Sequence, residues 1–303
     1  MQKITPHLWF DKEAKEAAAF YVSAFGGDSK VGDITTLSGT PSGDTDIVPF
    51  SLWGFEFLSI SAGPYFKPTP AISFMINFDP SQDADAAKNL DALWAKLSEG
   101  GKVMMELGEY PFSKRYGWVA DKYGFSWQLI LTDPAGEPRP RIIPSLLYIT
   151  DSGVAAEEAS NFYLSVFKNS KRGEIARYPA GMEPNKEGSI MFTDFTLENQ
   201  WFTAMDGSSK QHKYAFSEAV SLLVNCDDQA EIDYYWEKLS AVPESEQCGW
   251  LKDKFGVSWQ ISPTAMNEMM TTDDKAALKR VTEVFLKMKK FNIAELQKAY
   301  DGV

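Results

Sequence analysis

The sequence predicts an α+β fold: two tandem domains, each built from two βαβββ modules, followed by a C-terminal helical tail. Three observations carry this reading. The chain repeats itself once, the same order of helical and strand periodicities recurs in both copies, and a proline-rich stretch separates them. The repeat is plainest where Gly117-Trp118-Val119-Ala120-Asp121-Lys122-Tyr123-Gly124-Phe125-Ser126-Trp127-Gln128-Leu129 is echoed by Gly249-Trp250-Leu251-Lys252-Asp253-Lys254-Phe255-Gly256-Val257-Ser258-Trp259-Gln260-Ile261. Phe20-Tyr21 returns as Phe162-Tyr163, Ser73 and Asn77 as Ser221 and Asn225, and Trp94 to Ser98 as Trp236 to Ser240. A repeat this long is a duplicated domain rather than a solenoid unit. Between the copies, Asp133-Pro134-Ala135-Gly136-Glu137-Pro138-Arg139-Pro140-Arg141 favours extended chain, because proline has no amide donor. The expected boundaries are 1–132 for the first domain, 133–141 for the linker, 142–265 for the second domain and 266–303 for the tail.

Each element has a local reason. Ala14, Ala17, Ala18, Tyr21, Ala24 and Phe25 fall on one helical face, as do Ala86, Leu90, Leu93 and Leu97, and copy two repeats both stripes. Runs rich in β-branched and aromatic residues at 4–10, 33–37, 48–53, 55–61, 72–78, 103–107, 118–120 and 125–131 read as strands. Successive strand side chains point to opposite faces. Phe125, Trp127 and Leu129 therefore oppose Ser126 and Gln128, and Ser73 and Asn77 oppose Ile72, Phe74 and Ile76. The apolar face must pack the helices, which leaves a mixed, polar face where a small ligand could sit. In the tail, Thr272 or Asp273 can cap a helix with a Leu278, Val281, Phe285 and Met288 stripe, and Asn292 with Glu295 resembles the start of another. The stripe is expected to dock against the domains.

Charge and cysteine content exclude several functions. The 303 residues carry 30 Lys and Arg against 42 Asp and Glu, a formal charge of −12, which repels phosphate backbones and anionic lipid. Nucleic acid and membrane are not expected partners. Two cysteines are no disulfide framework, and Met1 to Pro6 lack a basic start leading into an apolar run. A cytoplasmic location is expected.

The segment Ile4-Thr5-Pro6-His7-Leu8-Trp9-Phe10, the helix ending in Phe20-Tyr21, the stretch Cys248 to Gln260 and the Lys287-Met288-Lys289-Lys290 tail resemble the PhnB-like branch of the vicinal-oxygen-chelate superfamily. Glyoxalase I and the bleomycin-resistance proteins belong to the same superfamily. The resemblance implies two tandem domains of that fold acting as an intramolecular pseudo-dimer, with a homodimer as a further option. This branch often carries the label 3-demethylubiquinone-9 3-methyltransferase. No G-x-G-x-x-G turn of the kind that cradles a nucleotide-like cofactor occurs here, so methyl transfer is not expected.

Metal-dependent members of the superfamily use four side chains, one per module. By resemblance those positions are Thr5, Ser59, Ala71 and Gln128 in copy one and Ile143, Ala204, Ala219 and Gln260 in copy two. Only the glutamines could coordinate an ion, and the chain has two histidines, His7 and His212, too few for a two-histidine site in either copy. The expectation is no metal and no cofactor, with His7, Glu56 and Gln128 as the minority ligand set. A small, partly aromatic or anionic molecule is expected, lined by Trp9, Gln128, Arg177, Tyr178 and Gln260, where Arg177 could pair an anion. The alternative is an enzyme of the superfamily type, a lyase, isomerase or dioxygenase, using that weak metal set or acid–base work by His7 or Glu218. The Asp-Lys pairs at 121–122 and 253–254 read as turn chemistry, and Cys248 as a packed thiol rather than a nucleophile.

Overall fold

The computed structural model describes residues 2–303. The first module is β1 (Ile4–Phe10), α1 (Ala14–Phe25), two short strands β2 (Lys30–Val31) and β3 (Thr35–Thr40), then β4 (Gly43–Leu52) and β5 (Phe55–Ser61). The second is β6 (Ile72–Phe78), α2 (Ala86–Ser98), β7 (Lys102–Tyr110), β8 (Ser113–Ala120) and β9 (Ser126–Leu131). The third is β10 (Ile142–Thr150), α3 (Ala156–Val166), β11 (Lys171–Arg177), β12 (Ile190–Leu197) and β13 (Gln200–Ser208). The fourth is β14 (Val220–Cys226), α4 (Gln229–Leu239), β15 (Trp250–Lys252) and β16 (Ser258–Pro263). The tail holds α5 (Ala265–Met270), α6 (Lys275–Phe285) and α7 (Ile293–Asp301).

The fourth module is one strand short of the expected pattern. Twenty residues separate Leu97 from Trp118, but only 10 separate Leu239 from Trp250. The shorter connection is a 3-10 turn, Pro243–Ser245, with Pro243 in its first turn. What is left of the missing hairpin in these ten residues is one isolated bridge, Gln247 to Trp250, and Pro243 takes one ladder donor away.

The chain folds into two compact units that do not follow the two copies of the repeat. Unit 1 takes the residues up to Lys67 together with Ser217–Val303, and unit 2 takes Pro68–Phe216. The sheet of unit 1 runs β15-β16-β14-β1-β5-β4-β2, with β3 also on β4, and the sheet of unit 2 runs β11-β12-β13-β10-β6-β9-β8-β7. The central seam of each sheet joins one strand from each copy in antiparallel register. In unit 1 Thr5 faces Leu223 and His7 faces Ser221; in unit 2 Ser145 faces Ser73 and Ile143 faces Met75. A short linker favours the second seam: Asn77 donates its side-chain amide to Pro140 O at 2.7 Å and its backbone amide to Arg141 O at 2.8 Å, just ahead of β10.

Alternation sorts the faces as the sequence expects. In unit 1 Ile4, Leu8, Phe10, Phe50, Phe57, Leu222, Trp259 and Ile261 are buried on the face covered by α1 and α4. In unit 2 Phe74, Ile76, Trp127, Leu129, Leu146 and Tyr148 are buried beneath α2 and α3. The N-terminus of α1 is capped from a distance: Ala14 N donates to Ser61 Oγ at 3.1 Å. Asp206 does the same for α3, accepting Ala155 N and Ala156 N at 2.7 and 2.8 Å. Asp274, next to the expected caps Thr272 and Asp273, accepts Ala276 N and Ala277 N at the start of α6. Asn292 caps α7 through Glu295 N as the sequence suggests. Among the described residues, no helix is long and apolar enough to cross a membrane.

Candidate functional site

The opposite, polar face of each sheet carries the candidate residues. In unit 1 strand register puts Thr5, His7 and Trp9 of β1 beside Leu58 and Ile60 of β5, Ser221 and Leu223 of β14, Gln260 of β16 and Trp250 of β15. His7 is 3% exposed. Its ring meets Trp250 edge-on at 5.5 Å, Trp250 lies 6.0 Å from Trp9, and Trp9 packs on Phe66 at 4.9 Å. The Trp9 indole is held by Gly63 O at 2.8 Å. Gln260 donates to Ser221 Oγ at 2.9 Å.

His7 Nδ1 is buried with no hydrogen-bond partner. Burial pushes the imidazole pKa down to about 3, so the ring is neutral at physiological pH. A neutral, desolvated imidazole nitrogen without a partner costs about 1–3 kcal/mol, and such groups usually answer to a ligand or an ordered water.

Unit 2 carries the matching positions with different chemistry. Gln128 sits at the centre of a buried network: Tyr116 Oη donates to its Oε1 at 2.6 Å, and its Nε2 donates to Ser73 Oγ at 2.7 Å and, more loosely, to Ser145 Oγ at 3.4 Å. Burial pushes the Tyr116 phenol pKa well above its ordinary value, which keeps it a donor. Ser145 stands where unit 1 has His7. Its register partner Thr203 has a buried Oγ1 without a partner.

The structure thus separates the expected residues. Trp9 and Gln260 share the face that holds His7, whereas Gln128 lies in unit 2. Arg177 is drawn off in another direction: its guanidinium makes a two-pronged pair with Glu157 in the first turn of α3, at 2.9 and 2.6 Å, and also donates to Gly188 O. Tyr178 is half-buried beside it with its phenol 3.5 Å from Asp206 O; burial, with the Asp206 charge nearby, raises its pKa. An anion would have to displace Glu157 to use this arginine. Glu218 is likewise committed, accepting from Lys252 Nζ at 2.6 Å, which removes the free carboxylate a general base needs.

His7 and Glu56 belong to unit 1 and Gln128 to unit 2, where both ends of its amide are already bonded. Among the described residues no three His, Cys, Asp or Glu side chains are grouped to hold an ion. Next to His7 this face offers the Gln260 amide and the Ser221 hydroxyl, a poor set for a divalent cation. Of the eight positions named by resemblance, Ser59, Ala204 and Ala219 are fully buried; Ser59 turns to the helix side and donates to Val48 O.

A groove of about 430 Å³ in unit 1, lined by Asp11, Asp44, Asp46, Ser61 and Tyr65 among others, opens elsewhere, at the N-terminal end of α1. Asp46 there is tied to Thr36 and Lys15. Sequence reasoning missed Tyr116, Trp250 and Thr203 as site residues. Trp250 lay in the repeat and could have been found from it, but the copy-two counterpart of Tyr116 is Cys248, so no repetition marked it.

Comparison with known proteins agrees with this architecture. A family model described as 3-demethylubiquinone-9 3-methyltransferase matches twice, over residues 2–130 and 140–262. No curated protein matches the chain. Among solved structures, a putative 3-demethylubiquinone-9 3-methyltransferase, PhnB protein, from Bacillus cereus is 37% identical over 43% of this chain and 100% of its own, with a TM-score of 0.39. Glyoxalase I from Zea mays covers 88% of this chain and 95% of its own at 13% identity and a TM-score of 0.52, a likeness of fold. The two family matches meet the two copies of the internal repeat, and the chain belongs to the 3-demethylubiquinone-9 3-methyltransferase family, whose domain it carries twice.

Proposed function

We propose that the protein binds a small, flat, partly aromatic molecule on the polar face of unit 1, without a metal ion. The observation that carries this reading is the buried, unpartnered Nδ1 of His7 set among Trp9, Trp250 and Gln260. The indole edges and faces suit a planar apolar body, and the neutral imidazole suits a hydrogen-bond donor or acceptor on it. An anion finds little support on this face. The imidazole carries no charge, and Lys252 is neutralised by Glu218. The methyltransferase name attaches to the family, and the chain shows no glycine-rich turn to support that chemistry.

The test is titration calorimetry with indole, a planar probe with one N–H donor, set against benzoate as an anionic probe of similar size. Indole should bind the wild type and be lost in His7→Leu, while benzoate binds neither. Equal binding of indole to wild type and His7→Leu would place the ligand elsewhere.

A further inference from the structure

The polar face of unit 2 carries a row of hydroxyls that unit 1 lacks. Strand register sets Ser126, Ser73, Ser145, Thr203 and Asp194, from five adjacent strands, side by side across the sheet. The stretch of unit 1 that corresponds to the last four reads Ser221, His7, Leu58 and Pro49. Leucine stands there in the place of Thr203, so the sheet itself has no need of a hydroxyl at that position.

The hydrogen bonds around Gln128 fix which groups are left over. Tyr116 Oη donates to Gln128 Oε1 at 2.6 Å, which turns the amide nitrogen toward the row, where it donates to Ser73 Oγ at 2.7 Å and Ser145 Oγ at 3.4 Å. Both serines thus act as acceptors, and among the described residues neither hydroxyl proton meets an acceptor of its own. Thr203 is 1% exposed and its Oγ1 has no partner of either kind. Three neighbouring hydroxyls are therefore left with protons to donate, on strands about 5 Å apart, a spread that one acceptor oxygen cannot serve alone.

Charge decides what kind of acceptor suits them. The cation at the end of the row, Arg139, is matched by Asp194 at 2.9 Å and Glu137 at 2.8 Å. A carboxylate ligand would lie beside the buried Asp194 without a counter-charge, which is costly. Neutral carbonyl oxygens carry no such cost. Tyr116 also supports an aromatic cluster, with Phe112 at 5.0 Å and Tyr110 at 5.5 Å, and Phe112 is 60% exposed. Such rings suit the body of a flat ligand.

We infer that unit 2 holds a second ligand site, for a neutral, flat molecule that presents two carbonyl oxygens to the hydroxyls of Ser73, Ser145 and Thr203. This site stands apart from the His7 reading, since it uses other residues in the other unit.

The experiment titrates N-methylphthalimide, a planar probe with two carbonyl acceptors and no donor, into wild type, Thr203→Val and His7→Leu by calorimetry, with benzoate as the anionic control. Thr203→Val keeps the branched shape and removes a hydroxyl that bonds to nothing, so its urea midpoint should equal or exceed that of wild type. The imide should bind wild type and His7→Leu alike and Thr203→Val about 10-fold more weakly, the worth of one hydrogen bond. Benzoate should bind none of the three. A lower urea midpoint for Thr203→Val would show that the hydroxyl already has a partner and would overturn the proposal. So would an absence of imide binding, equal imide affinity in wild type and Thr203→Val, loss of the imide in His7→Leu, or benzoate binding more tightly than the imide. The indole titration reads unit 1 alone, so either site can fail without the other.

Discussion

Asp253 and Trp259 are joined by a buried hydrogen bond, Trp259 Nε1 to Asp253 Oδ2 at 2.8 Å, while Asp253 Oδ1 accepts the backbone amides of Phe255 and Val257. Asp121 and Trp127 repeat the arrangement at 2.7 Å, with Tyr123 and Phe125 amides on the other oxygen. One carboxylate thus closes the turn and anchors the largest side chain of the following strand. The Asp-Lys-x-Gly-x-Ser-Trp-Gln pattern recurs in both copies with matching tasks: aspartate and tryptophan share this bond, the lysine lies over the aromatic ring that follows it, the glycine takes a positive φ, and the glutamine donates to a serine of the neighbouring strand.

Removing that carboxylate should be costly. Asp253→Ala leaves an indole N–H and two amides buried without acceptors, and a loss of about 3–5 kcal/mol is expected. Asp253→Asn, which keeps one acceptor oxygen, should lose less. Urea denaturation measures both, and a loss under ~1 kcal/mol for the alanine variant would show that water replaces the carboxylate freely.

His7 makes folding stability depend on pH. Its folded pKa, about 3, lies below the unfolded value of about 6.5, so the unfolded chain binds an extra proton between these limits. Stability from this residue is complete above pH 6.5 and falls as the pH drops, by about 1.4 kcal/mol per unit down to pH 3. His212, whose pKa burial also lowers, adds in the same direction. His7→Leu should remove its own share of the slope and, by replacing an unpartnered polar ring, leave stability at pH 7 unchanged or raised. Urea midpoints at pH 7 and pH 5 for both proteins test this, and parallel slopes would refute it.

Tyr116 should matter for unit 2 alone. Tyr116→Phe takes the donor from Gln128 Oε1 and leaves a buried carbonyl oxygen unsatisfied, a cost of about 1–2 kcal/mol. Indole affinity should not change. A parallel loss of indole binding would move the ligand into unit 2.

Arg177 is expected to be silent in binding. The pair it forms with Glu157 is exposed on both sides, and Arg177→Ala should leave the indole Kd at the wild-type value with little change in melting temperature. Benzoate binding by the wild type that is lost in this variant would restore an anion-pairing role to the arginine.

Much of the fold was legible because its signals are local. The strands Ile4–Phe10, Phe55–Ser61 and Ile72–Phe78 appear where alternation places them, and the face occupied by Ser73, Ser221, Gln128 and Gln260 follows from the period of two. The missing strand of the fourth module was not legible from the repeat, since self-similarity argues for symmetry and only the ten-residue connection with Pro243 argues against it. The pairing of Arg177 was not legible for a different reason: its partner Glu157 lies 20 residues away on α3, and nothing in the local sequence announces that α3 starts beside the end of β11.

By itself the amino-acid sequence determined the duplication, the faces of its strands and helices, and the residues that each face displays. Only the tertiary structure decided which strands meet. Strands β6 and β14 carry the same serine and asparagine at matching positions, so either could seem to suit β1, and the choice rests on pairing between segments more than 200 residues apart. That choice puts His7 with Gln260 and parts it from Gln128. It also brings the tail, which follows β16 directly, onto the same unit as His7, because a chain leaving the last strand of a sheet packs on the nearest face that still has apolar surface to bury.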